Sequence, residues 1–266
     1  MTKYRPVWRN KLFLVGLALI PVMMMTIDGP ISAMMRHIDD HTWAIINRFA
    51  QSGNSKYSLV PLAIAIAVLM LLYFADSSTL RTRLYAWFAG VCSFIFAAIA
   101  YSGIVINLIK MTIGRVRPNA AESLAWPEFH PFTVNAHFHS FPSGHANTLF
   151  AIALAVGFLV PPLRRYLLVL AAGLAFCRVL QFRHFSSDTL GGALLAVATT
   201  FWLRDVFARG RVVFCKTRKG GYSLTAPGRL LRRWIKGGFR GMRGRPARAS
   251  GDRAADTDEN ARGVAQ

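Results

Sequence analysis

Three short stretches of this chain, far apart in sequence, carry residue types that together suit the handling of a phosphate ester. Lys110 stands seven residues before Arg117, which Pro118 follows; Pro142-Ser143-Gly144-His145 comes next; then Arg178, His184 and Asp188. A phosphate ester concentrates negative charge, so its site needs fixed cations and donors around the non-bridging oxygens. Lys110, Arg117 and Arg178 supply them, and the planar fork of arginine suits two oxygens at once. Pro142 through His145 reads as the start of a helix, where proline is tolerated early. Backbone amides of Ser143 and Gly144 then point at an anion, as helix N-termini do. Of the two histidines, one is suited to attack and one to protonate a leaving oxygen. His184 and Asp188 are four apart and share a face if one helix includes both. A carboxylate there holds the imidazole tautomer and frees the other ring nitrogen.

At these residues the chain closely resembles the type 2 phosphatidic acid phosphatase (PAP2) superfamily, its bacterial membrane lipid phosphatase branch in particular. The family pattern is K-x6-R-P, then P-S-G-H, then S-R-x5-H-x3-D, and its members include bacterial lipid phosphatases and vanadium haloperoxidases. The first two blocks match completely. In the third, Cys177 stands where the family has serine, which weakens one hydrogen bond and leaves the reaction intact. The resemblance spans about residues 58–207 with the flanking apolar runs. It implies that His184 is the nucleophile of a phosphohistidine intermediate, that Asp188 orients it, and that His145 is general acid and then base. It implies too that Lys110, Arg117, Ser143, Gly144 and Arg178 hold the phosphate, with no metal and no cofactor.

These residues need elements to position them, and the rest of the chain is read for those. Its residues are 53% hydrophobic with mean hydropathy +0.35, unlike a water-soluble domain. Six apolar runs approach the length of a membrane-crossing helix: Leu12–Ile27, Ser58–Ala75, Leu84–Ile109, Ala146–Val160, Tyr166–Gln181 and Thr189–Phe207. The first follows Lys3, Arg5, Arg9 and Lys11 but lacks a small-residue cleavage site, and is read as an uncleaved span. Basic residues favour one side: the N-terminus, Arg81 with Arg83, Arg164 with Arg165, and the tail. By the positive-inside rule both termini are cytoplasmic, and the three motifs gather on the opposite face. The expected fold is therefore all-α, a six-transmembrane-helix bundle with a PAP2-like catalytic core and a basic cytoplasmic tail. Residues 1–207 form the membrane phosphatase domain and 208–266 the tail.

Several features call for plainer readings. Residues Pro30–Ala50 read as one amphipathic helix on the outer surface, or a packed loop helix. The loop Asn119–Ser140, with Trp126 and Phe132, is expected to cover the site or shape a headgroup pocket. His130, His137 and His139 lack an acid or cysteine partner at metal-ligand spacing, and no metal is assigned to them. Cys92, Cys177 and Cys215 show no disulfide framework. Gly103, Gly173, Gly191 and Gly192 are read as permitting close helix packing. Arg115 and Arg183, beside the motifs, are candidates for a lipid headgroup. From Arg209 to Arg248 there is no acidic residue, and residues 228–240 suit either an interfacial helix on the anionic cytoplasmic leaflet or a solvated positive tail. The net charge of +20 is partly a property of that tail, and nucleic acid is a poor partner for residues adjoining a span.

The expected activity is hydrolysis of a lipid phosphomonoester or pyrophosphate at the periplasmic face of a bacterial inner membrane. Candidate substrates are undecaprenyl pyrophosphate, lipid A, phosphatidylglycerophosphate and phosphatidic acid. A lipid-to-lipid phosphotransferase, a vanadate haloperoxidase and a catalytically silent lipid-binding protein are the rival readings. Oligomeric state is open.

Overall fold

The computed structural model describes residues 10–218 and 220–229. The first helix, α1 (Lys11–Thr26), begins at Asn10, whose side chain accepts from the Leu12 amide at 3.0 Å. It passes into α2 (Asp28–Met35) through a 60° bend. The chain leaves helical conformation after Arg36 and re-enters it at α3 (Asp40–Ala50), where Asp39 is extended and caps the Thr42 amide at 2.8 Å. The single helix expected over Pro30–Ala50 is thus two, because the Asp39 carboxylate starts a new helix.

Three long helices and a shorter pair complete the fold with α4 (Lys56–Ala75), α5 (Thr79–Ile113), α6 (Gly144–Leu159), α7 (Arg164–Leu180) and α8 (Ser186–Arg209). Together with α1, five of these match the six expected apolar runs to within five residues at each end, α4 included. The 35 residues of α5 reach roughly 50 Å, well beyond a hydrocarbon core of about 30 Å. Among the described residues, three stretches are long and apolar enough to cross a membrane alone: Asp40–Ala75, Thr79–Ile113 and Ser186–Arg209. The bent pair α1–α2 makes a fourth if taken as one span. At 16 and 17 residues, α6 and α7 are shorter.

Helix α6 lies among α5, α7 and α8, while α4 packs on α5 and α1 on α8. Small side chains let these axes approach: Ala146, Ala153, Ala171 and Ala175 are buried between α6 and α7. A β-carbon on Gly192 would stand 2.3 Å from the Ser143 carbonyl oxygen, and one on Gly191 2.6 Å from the Phe141 ring. Gly103 and Gly173 do not share that role, since nothing lies within 4 Å of a β-carbon at either. On α4, Val60, Ile64, Val68, Leu71 and Phe74 are exposed, as suits a helix bathed in lipid.

Beyond α8, the antiparallel hairpin of β1 (Phe214–Lys216) and β2 (Tyr222–Leu224) buries Phe214 against Phe94 and returns the chain to the bundle. One compact unit runs through Gly228. The basic residues Lys3, Arg5 and Arg9 lie outside the described residues. So does the expected helix 228–240 past residue 229, with the tail beyond it.

Candidate active site

Four helix ends meet at one end of the bundle. The α5 helix closes on Gly114, whose left-handed φ of 63° directs its amide to the Lys110 carbonyl at 2.9 Å. A β-carbon at Gly114 would also lie 1.7 Å from the His130 carbonyl oxygen, so only glycine fits there. Lys110 is thereby kept in the last turn of α5. Its Nζ lies 3.9 Å from where a β-carbon would sit on Gly144, the first residue of α6. The Ser143 amide donates to the Asp188 carbonyl at 2.9 Å, joining the start of α6 to the start of α8. Ser143 was expected to offer that amide to an anion. Because Asp188 takes it, the amide of Gly144 and the hydroxyl of Ser143 remain at this helix start. That hydroxyl caps the Ala146 amide loosely at 3.5 Å.

His184 and Asp188 do not share a helical face. His184 lies in the turn before α8, where its amide and that of Arg183 both donate to the Arg178 carbonyl at 3.2 Å. Asp188, in the first turn of α8, reaches back to accept the Phe185 amide at 2.8 Å. That backward reach sets Asp188 Oδ2 3.5 Å from His184 Nδ1. With Nδ1 facing the carboxylate, Nε2 is the nitrogen able to attack. Burial pushes the His184 imidazole down to about 4, opposed by Asp188 and reinforced by Lys110 and Arg117. The ring is consequently neutral at pH 7, with a lone pair to give.

A ring of cations surrounds it. His145 lies within electrostatic reach of Arg178, His184, Lys110 and Arg117. Arg183 comes close enough to Arg117 and Arg178 to join them, and burial with Arg183 lowers the Arg117 pKa. The Nε atoms of Arg117 and Arg178 are buried without a hydrogen-bond partner among the described residues. Buried donors of this kind are costly unless an anion receives them. Arg178 is steered by Gln181, whose Oε1 accepts from its Nη1 at 2.8 Å, and Gln181 in turn donates to Asn47 of α3 at 2.9 Å. Gly53 brings the turn after α3 against His145, with 3.0 Å from its would-be β-carbon to His145 Cβ. Among the described residues, the thiol of Cys177 bonds its own helix, at the Gly173 carbonyl.

Arg115 corrects the headgroup expectation. It is 1% exposed and holds two carboxylates, Asp188 at 2.6 Å and Asp28 at 2.8 Å, beneath the Phe185 ring at 4.1 Å. Ser140 donates to Asp188 Oδ2 at 2.5 Å. Spacing along the chain could not reveal Asp28, Ser140 or Ser187 as parts of this site. The one signal was the occurrence of an acid, Asp28, inside an otherwise apolar N-terminal stretch.

The loop before α6 is sewn to the end of α5, with Val116 on Glu128, Arg117 on His137 and Phe132 on Met111 through backbone bonds of 2.7–3.0 Å. Trp126 and Phe132 stand 74% and 83% exposed, outside the cluster they were expected to cover. His130 pairs with Glu128, and His139 bonds the Thr133 carbonyl, each at 2.9 Å.

Helix ends here gather two histidines, a carboxylate and at least four cations in a bundle with membrane-length apolar helices, an arrangement suited to holding a phosphate ester at a membrane. The profile of the PAP2 superfamily matches residues 90–211. The lipid A 1-phosphatase of Rhizobium johnstonii is 28% identical over 215 residues, 78% of this chain and 84% of that one. The lipid A 1-phosphatase of Rhizobium etli is 30% identical over 156 residues, 56% of this chain and 67% of the relative. The crystal structure of the transmembrane PAP2-type phosphatidylglycerolphosphate phosphatase from Bacillus subtilis shares the fold. It aligns with TM-score 0.50 and 21% identity, over 74% of this chain and 94% of that chain. The chain belongs to the PAP2 superfamily, and it is a phosphatase.

Proposed function

We propose that the protein removes a phosphate from a lipid at the periplasmic face of a bacterial inner membrane, with lipid A as the first candidate. The observation that carries this reading is the convergence of His184, Asp188 and His145 with Lys110, Arg117 and Arg178 at one end of the bundle. The two Rhizobium relatives favour lipid A over the other lipid phosphates. In this reading α1 and α4 to α8 are six spans, α6 and α7 being the short ones, and both termini are cytoplasmic. The basic tail then adjoins the anionic leaflet.

His184 Nε2 attacks phosphorus in line, forming an N–P bond as the P–O bond to the lipid breaks. His145 gives its proton to the departing oxygen, then takes one from the water that cleaves the phosphohistidine. Such general acid catalysis contributes roughly 10²–10⁴-fold. Charge spread over the phosphoryl oxygens falls to Lys110, Arg117, Arg178 and the Gly144 amide, and stabilisation of this kind is usually the larger effect. A phosphate held at the outer rim leaves the acyl chains in the bilayer.

The test is phosphate release from lipid A by the detergent-purified full chain with chelator present, the product weighed by mass spectrometry. Loss of one phosphate, abolished in His184→Ala, supports the reading. Undiminished release by His184→Ala eliminates the mechanism, and release only from phosphatidylglycerophosphate moves the substrate.

A further inference from the structure

We propose that Asp28 is a positioning residue for the phosphatase reaction, acting through Arg115 and Ser187 on the carboxylate of Asp188 that faces His184. The proposal rests on the reading of His184 as nucleophile. Asp28 lies at the bend between α1 and α2, 1% exposed, and well outside the segment that matches the family profile, residues 90–211.

Both of its oxygens are engaged. Oδ1 accepts the Ser187 amide at 3.0 Å. Oδ2 accepts Arg115 Nη2 at 2.8 Å and the Ser187 hydroxyl. Asp28 therefore caps the start of α8 from another helix, where amides lack intrahelical partners and negative charge is favoured. Arg115 then presents Nη1 to Asp188 Oδ1 at 2.6 Å and to Ser187 Oγ at 2.7 Å. On the far side, Asp188 Oδ2 takes Ser140 and the Phe185 amide and faces His184. One oxygen of Asp188 belongs to Arg115 and the other to the histidine, and the carboxylate cannot turn without breaking this division.

Charge is balanced by the same arrangement. Asp28 and Asp188 flank one guanidinium, so the buried trio keeps one net negative charge beside His184. The other charged or titratable groups near His184 are Lys110 of α5, Arg117, His145 of α6, Arg178 of α7 and Arg183 in the following turn. Asp28 opposes those cations at one remove. With Asp28 neutral, Arg115 is left to Asp188 alone, and the carboxylate polarises the imidazole less.

The experiment compares the full-length wild type with Asp28→Asn, Asp28→Glu and Ser187→Ala in detergent, on lipid A and on phosphatidylglycerophosphate. Gel filtration and melting check the fold. Expected for Asp28→Asn is a fall in kcat of about tenfold or more with KM within about twofold, the pattern of an interaction realised in the transition state. The acid limb of its rate profile moves to lower pH. Asp28→Glu restores the limb, and Ser187→Ala shows a smaller fall of the same kind. Wild-type kcat and an unmoved limb in Asp28→Asn overturn the proposal, as does a rise in KM alone. Should Asp28→Asn fail to fold, Ser187→Ala decides by the same two readouts. A wild type that releases phosphate from neither lipid overturns the underlying reading, and this assignment with it; an active wild type beside fully active variants overturns this assignment only.

Discussion

The amide of Ser143 donates to the carbonyl of Asp188 across 2.9 Å, and this bond sets the distance between the two histidines of the site. His145 follows Ser143 by two residues and His184 precedes Asp188 by four, so a shift at the bond moves one histidine against the other. Gly192 makes the contact possible by leaving room for the Ser143 carbonyl. Gly192→Ala places a β-carbon 2.3 Å from that oxygen, and overpacking against backbone costs about 1–3 kcal/mol. The expected result is a lower melting temperature together with a loss of phosphate release larger than the stability change explains.

The low pKa of His184 fixes the sign of the pH dependence. Above about 4 the imidazole is neutral and able to attack; as pH falls through 4 it takes a proton and the rate falls. Asp188→Asn removes the carboxylate that opposes burial, so the acid limb moves still lower. The same change loses the tautomer control, which in the serine–histidine–aspartate triad is worth about 10⁴-fold. Rate profiles of wild type and variant between pH 3 and pH 8 would check both effects, with an upward shift of the limb counting against the assigned role of Asp188.

Gln181 connects Arg178 to α3, and its removal should act on binding. Gln181→Ala removes the acceptor that steers Arg178 and leaves Asn47 Oδ1 with the longer bond from Gln51, at 3.3 Å. A hydrogen bond to a charged group is worth about 1.5–3 kcal/mol, hence roughly tenfold or more. KM is expected to rise by that factor with a smaller change in kcat, whereas Arg178→Ala loses nearly all turnover. Initial-rate measurements separate the two.

Exposed Trp126 and Phe132 suit the membrane interface better than the site. Replacing both with Ala should leave turnover in detergent near wild type and lower it in lipid vesicles. Equal losses in both media would return these side chains to the headgroup pocket.

Spacing and composition alone placed helices over six runs of the chain and nominated Lys110, Arg117, His145, Arg178, His184 and Asp188, which the fold carries to one end of the bundle. Periodicity and motif spacing are local properties, and helix ends follow from them to within a few residues. Two local features differ from the pattern: a side-chain cap at Asp39 outweighs a continuous apolar run, and His184 falls in the turn before α8 and not on a helical face with Asp188. What tertiary structure alone decided is how the buried charges pair. Asp28 and Ser187 are 159 positions apart and Arg115 and Asp188 73 apart, and no periodicity relates residues at such separations. Only the folded bundle makes them neighbours. There a buried guanidinium must find carboxylates, because an unpaired charge out of water costs several kcal/mol.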